Sequence, residues 1–258
     1  MGERSNAAVA ELGSQTRGMQ KAGEMARFRS KRYTAALKKL GDQPEAKHKV
    51  AEAVDILKKF EGAKFDETVE VSIKLGIDAK KADQLIRGSF ALPNGLGKEK
   101  KVIAFVDGPM ADECRKAGAI EVGTEDLAKK VEGGWMDFDV AIAHPSAMRF
   151  VGKLGRVLGP QGKMPSPKSG TVTEQIALAV KEFAGGKIEY RTDPNGNVQA
   201  PVGKKSFTAE KLTQNVEAFI DHVKASRPSS AKGNFVQKAT ISATMSPGVD
   251  LEVGENTV

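Results

Sequence analysis

Two segments far apart in the chain alternate between apolar and polar residues, while the stretch between them does not. In FDETVEVSIKL, residues 65–75, Val69, Val71, Ile73 and Leu75 fall on one side and Thr68, Glu70, Ser72 and Lys74 on the other. A second segment, about 235–245, sets Ala239, Ile241 and Ala243 against Lys238, Thr240, Ser242 and Thr244. A period of two describes a strand with one face in a core and the other in water. Between these segments, VIAFV at 102–106, AIEV at 119–122 and FDVAIA at 138–143 are short, continuously apolar runs. PMADECRKAG and TEDLAKKVEGG, both helical in pattern, separate them. Strand, helix, strand, helix at this spacing predicts βαβ units and a parallel sheet covered on both faces. A middle of one style between ends of another predicts an inserted domain.

The remaining elements follow the same logic. From Glu45, Val50, Val54, Leu57 and Phe60 recur at helical spacing. A helix is expected from about Pro145, and another from Thr173 to about Phe183. KIEYRT and NVQAPV flank Asp193-Pro194-Asn195-Gly196, a turn signal that predicts a hairpin. A helix from about Thr208 has Leu212, Val216, Phe219, Ile220 and Val223 on its buried stripe and ends before Pro228. The chain would cross between domains near Gly95 and Gly97 and again at Gly185 and Gly186. These glycines are either hinge positions or ordinary loop residues. The divisions are then residues 1–29, a basic and poorly ordered extension; 30–95 with 186–258, the discontinuous domain; and 96–185, the insertion.

Charge narrows the function. Net charge is +7 with a pI near 9.3. Residues 1–40 hold nine Lys/Arg against three Asp/Glu, so the rest of the chain is nearly neutral. Within it, 140–173 and 222–249 contain no acid, which suggests local faces for a polyanion. The first of these stretches ends in LGRVLGPQGKMPSPKSGTVT, residues 154–173, with Arg149, Lys153, Arg156, Lys163 and Lys168 around it. A single cysteine, Cys114, excludes an internal disulfide and any multi-cysteine metal site. The three histidines are too scattered for a local ligand pattern. No apolar run approaches membrane length, and no signal-peptide pattern opens the chain, so a cytoplasmic protein without membrane partner is expected.

Two classes of function remain. A nucleotide- or small-molecule-binding α/β enzyme would need a phosphate fingerprint. Here Gly162-Lys163 is followed by Met164 instead of Ser or Thr, and VIAFV is followed by DGPMAD with no G-x-G-x-x-G. Asp107 and His144 sit near strand ends without a paired acid, base or nucleophile. The other class is RNA binding. Thr, Ser and Lys rows on a rigid sheet suit phosphate oxygens and 2′-hydroxyls. Polar faces of antiparallel sheets look like this anyway, so pattern alone leaves the choice open.

Longer motifs decide it. AKFDETVEVSIKLGIDAKKADQLIRGSFALPNGLGK at 63–98, WMDFDVAIAHPSAM at 135–148, the 154–173 loop and KATISATMSPGV at 238–249 resemble the bacterial large-subunit ribosomal protein one family. The likeness runs from about Ser30 to Val258. It implies a discontinuous two-layer α/β domain with an antiparallel sheet, built from both chain ends, and an inserted Rossmann-like three-layer α/β domain. It implies a non-enzymatic constituent of the large subunit, without cofactor or metal and monomeric when free. Such a protein binds large-subunit ribosomal RNA to form the mobile stalk beside the tRNA exit site. Its further partners would be exit-site tRNA and its own operon mRNA, which it represses.

By motif match the main RNA contacts fall on Lys64, Phe65, Thr68, Glu70, Ser242, Thr244, Met245, Ser246 and Gly248. Phe65 and Met245 either pack on RNA or fill the core. Arg191, Lys204, Lys232, Lys153, Arg156, Lys163 and Lys168 are expected as additional contacts. The sequence departs from the family pattern at Ser246, where glycine is usual, and at Gln161, Lys163 and Ser166, where arginine, leucine and asparagine are usual.

Overall fold

The structure, a computed structural model, describes residues 29–40, 46–81, 83–108 and 110–253. The extension expected to be disordered lies outside the described residues except for Arg29. Just after it comes a helix that periodicity did not suggest, α1 (Lys31–Leu40), with Ala36 buried. Five of the nine basic residues in positions 1–40, Arg29, Lys31, Arg32, Lys38 and Lys39, therefore belong to the start of the folded body.

The alternating segments are neighbours. Strand β1 (Thr68–Leu75) lies between β7 (Asn197–Lys204) and β8 (Val236–Ala243), antiparallel to both. A short strand not foreseen from sequence, β9 (Val249–Leu251), closes the sheet in the order β7-β1-β8-β9. Val69, Val71 and Ile73 of β1 are fully buried on one face. Against them pack α2 (Val50–Lys59), through Val54 and Leu57, and the long helix Ala209–Ala225, through Leu212, Val216, Phe219 and Val223. A fully buried Phe such as Phe219 contributes roughly 1.5–3 kcal/mol by leaving water. On the opposite face of this sheet Glu70, Lys74, Gln199 and Lys238 are exposed.

The hairpin expected around Asp193–Gly196 is a correction. The turn exists, with Gly196 N–H donating to Asp193 O at 3.1 Å, and one bridge joins Thr192 to Val198. However, β6 (Ile188–Arg191) pairs with β2 (Arg87–Phe90), which sequence reading missed, whereas β7 pairs with β1. The chain changes sheets at the turn. Side-chain and backbone donors from Asn197, followed by the Asn195 and Gly196 amides, hold the Asp193 carboxyl below the usual carboxylate range and fix that corner.

The middle of the chain forms a parallel sheet in the order β4-β3-β5, from β3 (Val102–Phe105), β4 (Glu121–Gly123) and β5 (Val140–Ala143). All four residues of β3 are buried, as a strand covered on both faces requires. Ile103 and Phe105 point into one core and Val102 and Ala104 into another. The single helix expected from Pro145 is instead a chain of short turns, Pro145–Ala147, Met148–Val151, Gly152–Leu154 and Gly155–Leu158. Glycines at 152, 155 and 159 keep it from continuing as one rod. The fold is thus an antiparallel α/β body made by both chain ends, with a three-layer parallel α/β body between them.

Candidate nucleic-acid interface

Because β1 and β8 run antiparallel, the start of one meets the end of the other. Thr68 N–H donates to Thr244 Oγ1 at 3.1 Å, and Thr244 N–H donates to Thr68 O at 3.0 Å. Lys204, at the end of β7, donates from Nζ to Thr68 Oγ1 at 2.8 Å. The Thr68 hydroxyl therefore accepts from a cation and keeps its own proton to give to an anionic oxygen. One rung inward on the open face, Glu70 stands opposite Ser242. The sheet thus joins Thr68, Glu70, Lys204, Ser242 and Thr244.

The neighbouring loop supplies the rest. Glu67 is buried and accepts Ala63 N–H at 2.5 Å through Oε1, while Asp66 accepts from Ser206 N–H and Oγ. Lys205 Nζ donates to Phe60 O at 2.9 Å. Glu67 Oε2 is buried with no hydrogen-bond partner among the described residues, and above it the loop leaves Lys64 exposed and Phe65 56% exposed. Met245 is 50% exposed. Neither Phe65 nor Met245 fills the core, which removes the bland half of the alternative.

Ser246, where glycine would be usual, does not sit at a glycine-only conformation, since no non-glycine residue among those described has positive φ. Its Oγ accepts Ala243 N–H at 2.9 Å and its own N–H donates to Ala243 O at 3.0 Å, so the side chain closes the turn after β8. Gly248 is required for packing: a Cβ there would come within 2.7 Å of Thr240 Cγ2.

Sequence reading missed one side of this site. Arg29, Ser30, Arg32 and Tyr33 line a cleft of about 480 Å³ with Thr244, Met245 and Ser246. The Arg29 guanidinium lies 4.6 Å from the centre of the Tyr33 ring. The signal was the Lys31-Arg32-Tyr33 cluster, which a tail of low periodicity concealed.

The additional candidates divide into separate groups. Arg191 and Lys168 line a second cleft of about 690 Å³ with Arg87 and the exposed Leu85; Arg87 also pairs with Glu189 at 2.8 Å. Lys232 lies with Lys74 and Asn234 around a third cleft, beside the opposite end of β1 from Thr68. Lys153 and Arg156 are exposed on the short turns after β5. Lys163 is different: its Nζ donates to Phe138 O at 2.6 Å and Met136 O at 3.2 Å and sits over the Phe138 ring. Its charge is spent on holding the loop down.

The strand ends that an α/β enzyme would use are plainly furnished. His144 Nδ1 meets Ser146 Oγ at 2.6 Å and caps the Pro145–Ala147 turn, while Asp107 accepts Gly108 N–H. Among the described residues no group of His, Cys, Asp and Glu could hold a metal ion, and no helix is long and apolar enough to cross a membrane.

The profile of the Ribosomal protein L1p/L10e family matches residues 57–247, a span that takes in both the sheet end and the parallel middle. The chain belongs to the ribosomal protein L1 family. Two curated relatives agree with this. The large ribosomal subunit protein uL1 of Lactobacillus johnsonii is 50% identical over 222 residues, and that of Lactobacillus gasseri 49% over the same length. In each case 86% of this chain and 96% of the relative are covered. The L1 family is one of structural proteins and not of enzymes, which leaves His144 and Asp107 at the strand ends without a catalytic task.

Proposed function

We propose that the Thr68–Thr244 end of the open sheet is the principal grip on ribosomal RNA. Family membership makes the chain a structural constituent of the large ribosomal subunit, with ribosomal RNA as its partner. The observation that carries the choice of site is the joining of residues 176 positions apart, Thr68 and Thr244, flanked by exposed Phe65 and Met245. Hydroxyls there can bond ribose or phosphate oxygens, Lys64 and Lys204 can neutralise phosphates, and the two apolar side chains can lie on exposed sugars or bases. Glu70 would accept from a base amino group or a 2′-hydroxyl. Arg29, Arg32 and Tyr33 extend the same surface.

The divisions 30–95 with 186–258 and 96–185, hinged at Gly95, Gly97, Gly185 and Gly186, are part of this reading. So are two finer roles. A messenger that copies the ribosomal fold would occupy the same sheet end, so repression of the chain's own operon would follow from competition between two RNAs. Contact with exit-site tRNA would need a separate basic surface. The cleft of Arg87, Lys168 and Arg191 suits it, since its three cations outnumber the Asp193 carboxylate that also lines it and it shares no residue with the sheet end.

Titration of Thr244→Ala and Met245→Ala against a large-subunit RNA fragment tests the main site. Each substitution should cost on the order of 1 kcal/mol or more, through a lost hydrogen bond or lost contact. Unchanged affinity in both would remove the site from this face. Arg191→Ala with Lys168→Ala should leave that affinity intact and weaken only tRNA contact.

A further inference from the structure

The two crossings between the bodies are nearly bare of side chains. A Cβ on Gly95 would come within 2.9 Å of Gly185 O, and one on Gly186 within 2.7 Å of Leu96 N, so the crossing backbones lie directly against each other. Fully buried Asn215 fixes one side: its Oδ1 accepts Asn94 N–H at 3.0 Å, and its Nδ2 donates to Gly95 O at 3.1 Å and Val202 O at 2.8 Å. Beyond that clamp, residues 96–99 carry no regular structure before β3, and Gly185–Gly186 separate the helix Ile176–Ala184 from Lys187 and β6.

Two long side chains span this junction, and one of them, Lys187, pairs through Nζ with Glu182 Oε2 on the helix Ile176–Ala184 at 2.7 Å. Lys100, two residues before β3, donates from Nζ to Lys187 O at 2.7 Å, immediately before β6. Two carboxylates act on its ammonium from opposite sides. Asp139 leads into β5 of the parallel sheet, where it accepts Lys101 N–H at 3.1 Å; Glu189 stands on β6, paired with Arg87. Lys98 is the nearby cation that opposes them. We propose that Lys100 is a latch that holds the inserted body at a fixed angle to the body made by the chain ends. Its bond to Lys187 O ties the lead into β3 directly to the start of β6, with the two carboxylates acting on the ammonium at longer range, and it adds a second hold to the Asn215 clamp on Gly95.

Burial pushes the Lys100 ammonium below lysine's usual 10.5, outweighing Asp139 and Glu189. The latch weakens as pH rises through that lowered value. Between them Asp139, Glu189 and Lys98 set where this happens, since they are the charged neighbours on the two sides of the junction. The bond joins the lead into the parallel sheet to β6, so it would set how the exposed Lys153 and Arg156 of the inserted body stand relative to the Thr68–Thr244 sheet end.

This inference rests on the two-body reading, and its test separates the two. Nitroxides at Glu210→Cys and Glu132→Cys, both exposed and one on each body, report the separation as a pulsed-EPR distance distribution in the full chain. Lys100→Met should broaden the distribution and add longer distances, and Lys100→Arg should restore the narrow one. Asp139→Asn should shift the pH midpoint of broadening downward, because a charge that favours the ammonium is gone. Three glycines inserted between Lys98 and Glu99 serve as a control. If the control broadens the distribution and Lys100→Met does not, the latch is wrong while the two bodies stand. If neither variant changes it, the two-body reading fails and takes the latch with it.

Discussion

The two main sheets use their residues in opposite ways. In the antiparallel sheet every second residue is released from packing, so β1 buries Val69, Val71, Ile73 and Leu75 and presents Thr68, Glu70, Ser72 and Lys74. In the parallel sheet β3 releases nothing: Val102, Ile103, Ala104 and Phe105 are all inside. One sheet is therefore both scaffold and surface, while the central strand of the other is scaffold alone. Among the described residues, chemistry that needs a rigid array of hydroxyls and ammonium groups finds it on the open face of the antiparallel sheet.

The largest expected effect tests the scaffold side of that contrast. Phe105→Ala should cost about 3–5 kcal/mol of stability, as a large cavity in a covered sheet does, whereas Ser72→Ala should stay within about 0.5 kcal/mol. Urea unfolding of both variants measures it, and similar losses would erase the distinction between the sheets. A smaller effect compares two lysines. Lys64→Ala should weaken RNA binding and lower the salt slope by about 0.7–0.9, the share of one phosphate contact. Lys163→Met should leave the slope unchanged, because its ammonium already serves the carbonyls of Met136 and Phe138. A slope that falls for Lys163→Met would return that loop to the interface.

The smallest effect concerns the neck, where β2 and β6 rest on the long helix. His222 stacks on Phe90 at 4.5 Å, and its Nε2 lies 2.9 Å from Tyr190 Oη. Burial lowers its pKa from 6.5, so the unfolded chain binds the extra proton first. Stability from this group is complete above about 6.5 and is lost as pH falls through the lowered folded value. Unfolding midpoints should drop between pH 7.5 and 5.5, and drop less in His222→Gln. Equal losses in the two proteins would clear His222 of the role.

The alternating strands, the βαβ middle and the long helix were all legible, because each announces itself by local periodicity. What escaped was non-local or short. β2 and β9, of four and three residues, are too brief to show a period, and α1 was hidden by a polar neighbourhood. The turn at Asp193–Gly196 read correctly as a turn and wrongly as a hairpin, since local sequence fixes a reversal but not which strand each arm pairs with. At the site, the outward Thr and Ser rows were visible, but not the meeting of Thr68 with Thr244 or the presence of Arg29 and Tyr33 beside them. Lys163 looked free only because a charge in a glycine-proline loop says nothing of the carbonyls within its reach.

The place of β1 in its sheet has a consequence during synthesis. Both of its neighbours, β7 and β8, emerge long after it, and the last rung of the proposed site closes only when Thr244, 176 positions after Thr68, joins it. The parallel middle needs nothing from either end for its β3, β4 and β5 pairings and can form while the chain is still growing. An unfinished chain thus holds a folded middle and an orphan strand, with half of the proposed grip missing. Competence to bind RNA would arrive late and all at once, when Thr244 and Met245 take their places beside Thr68.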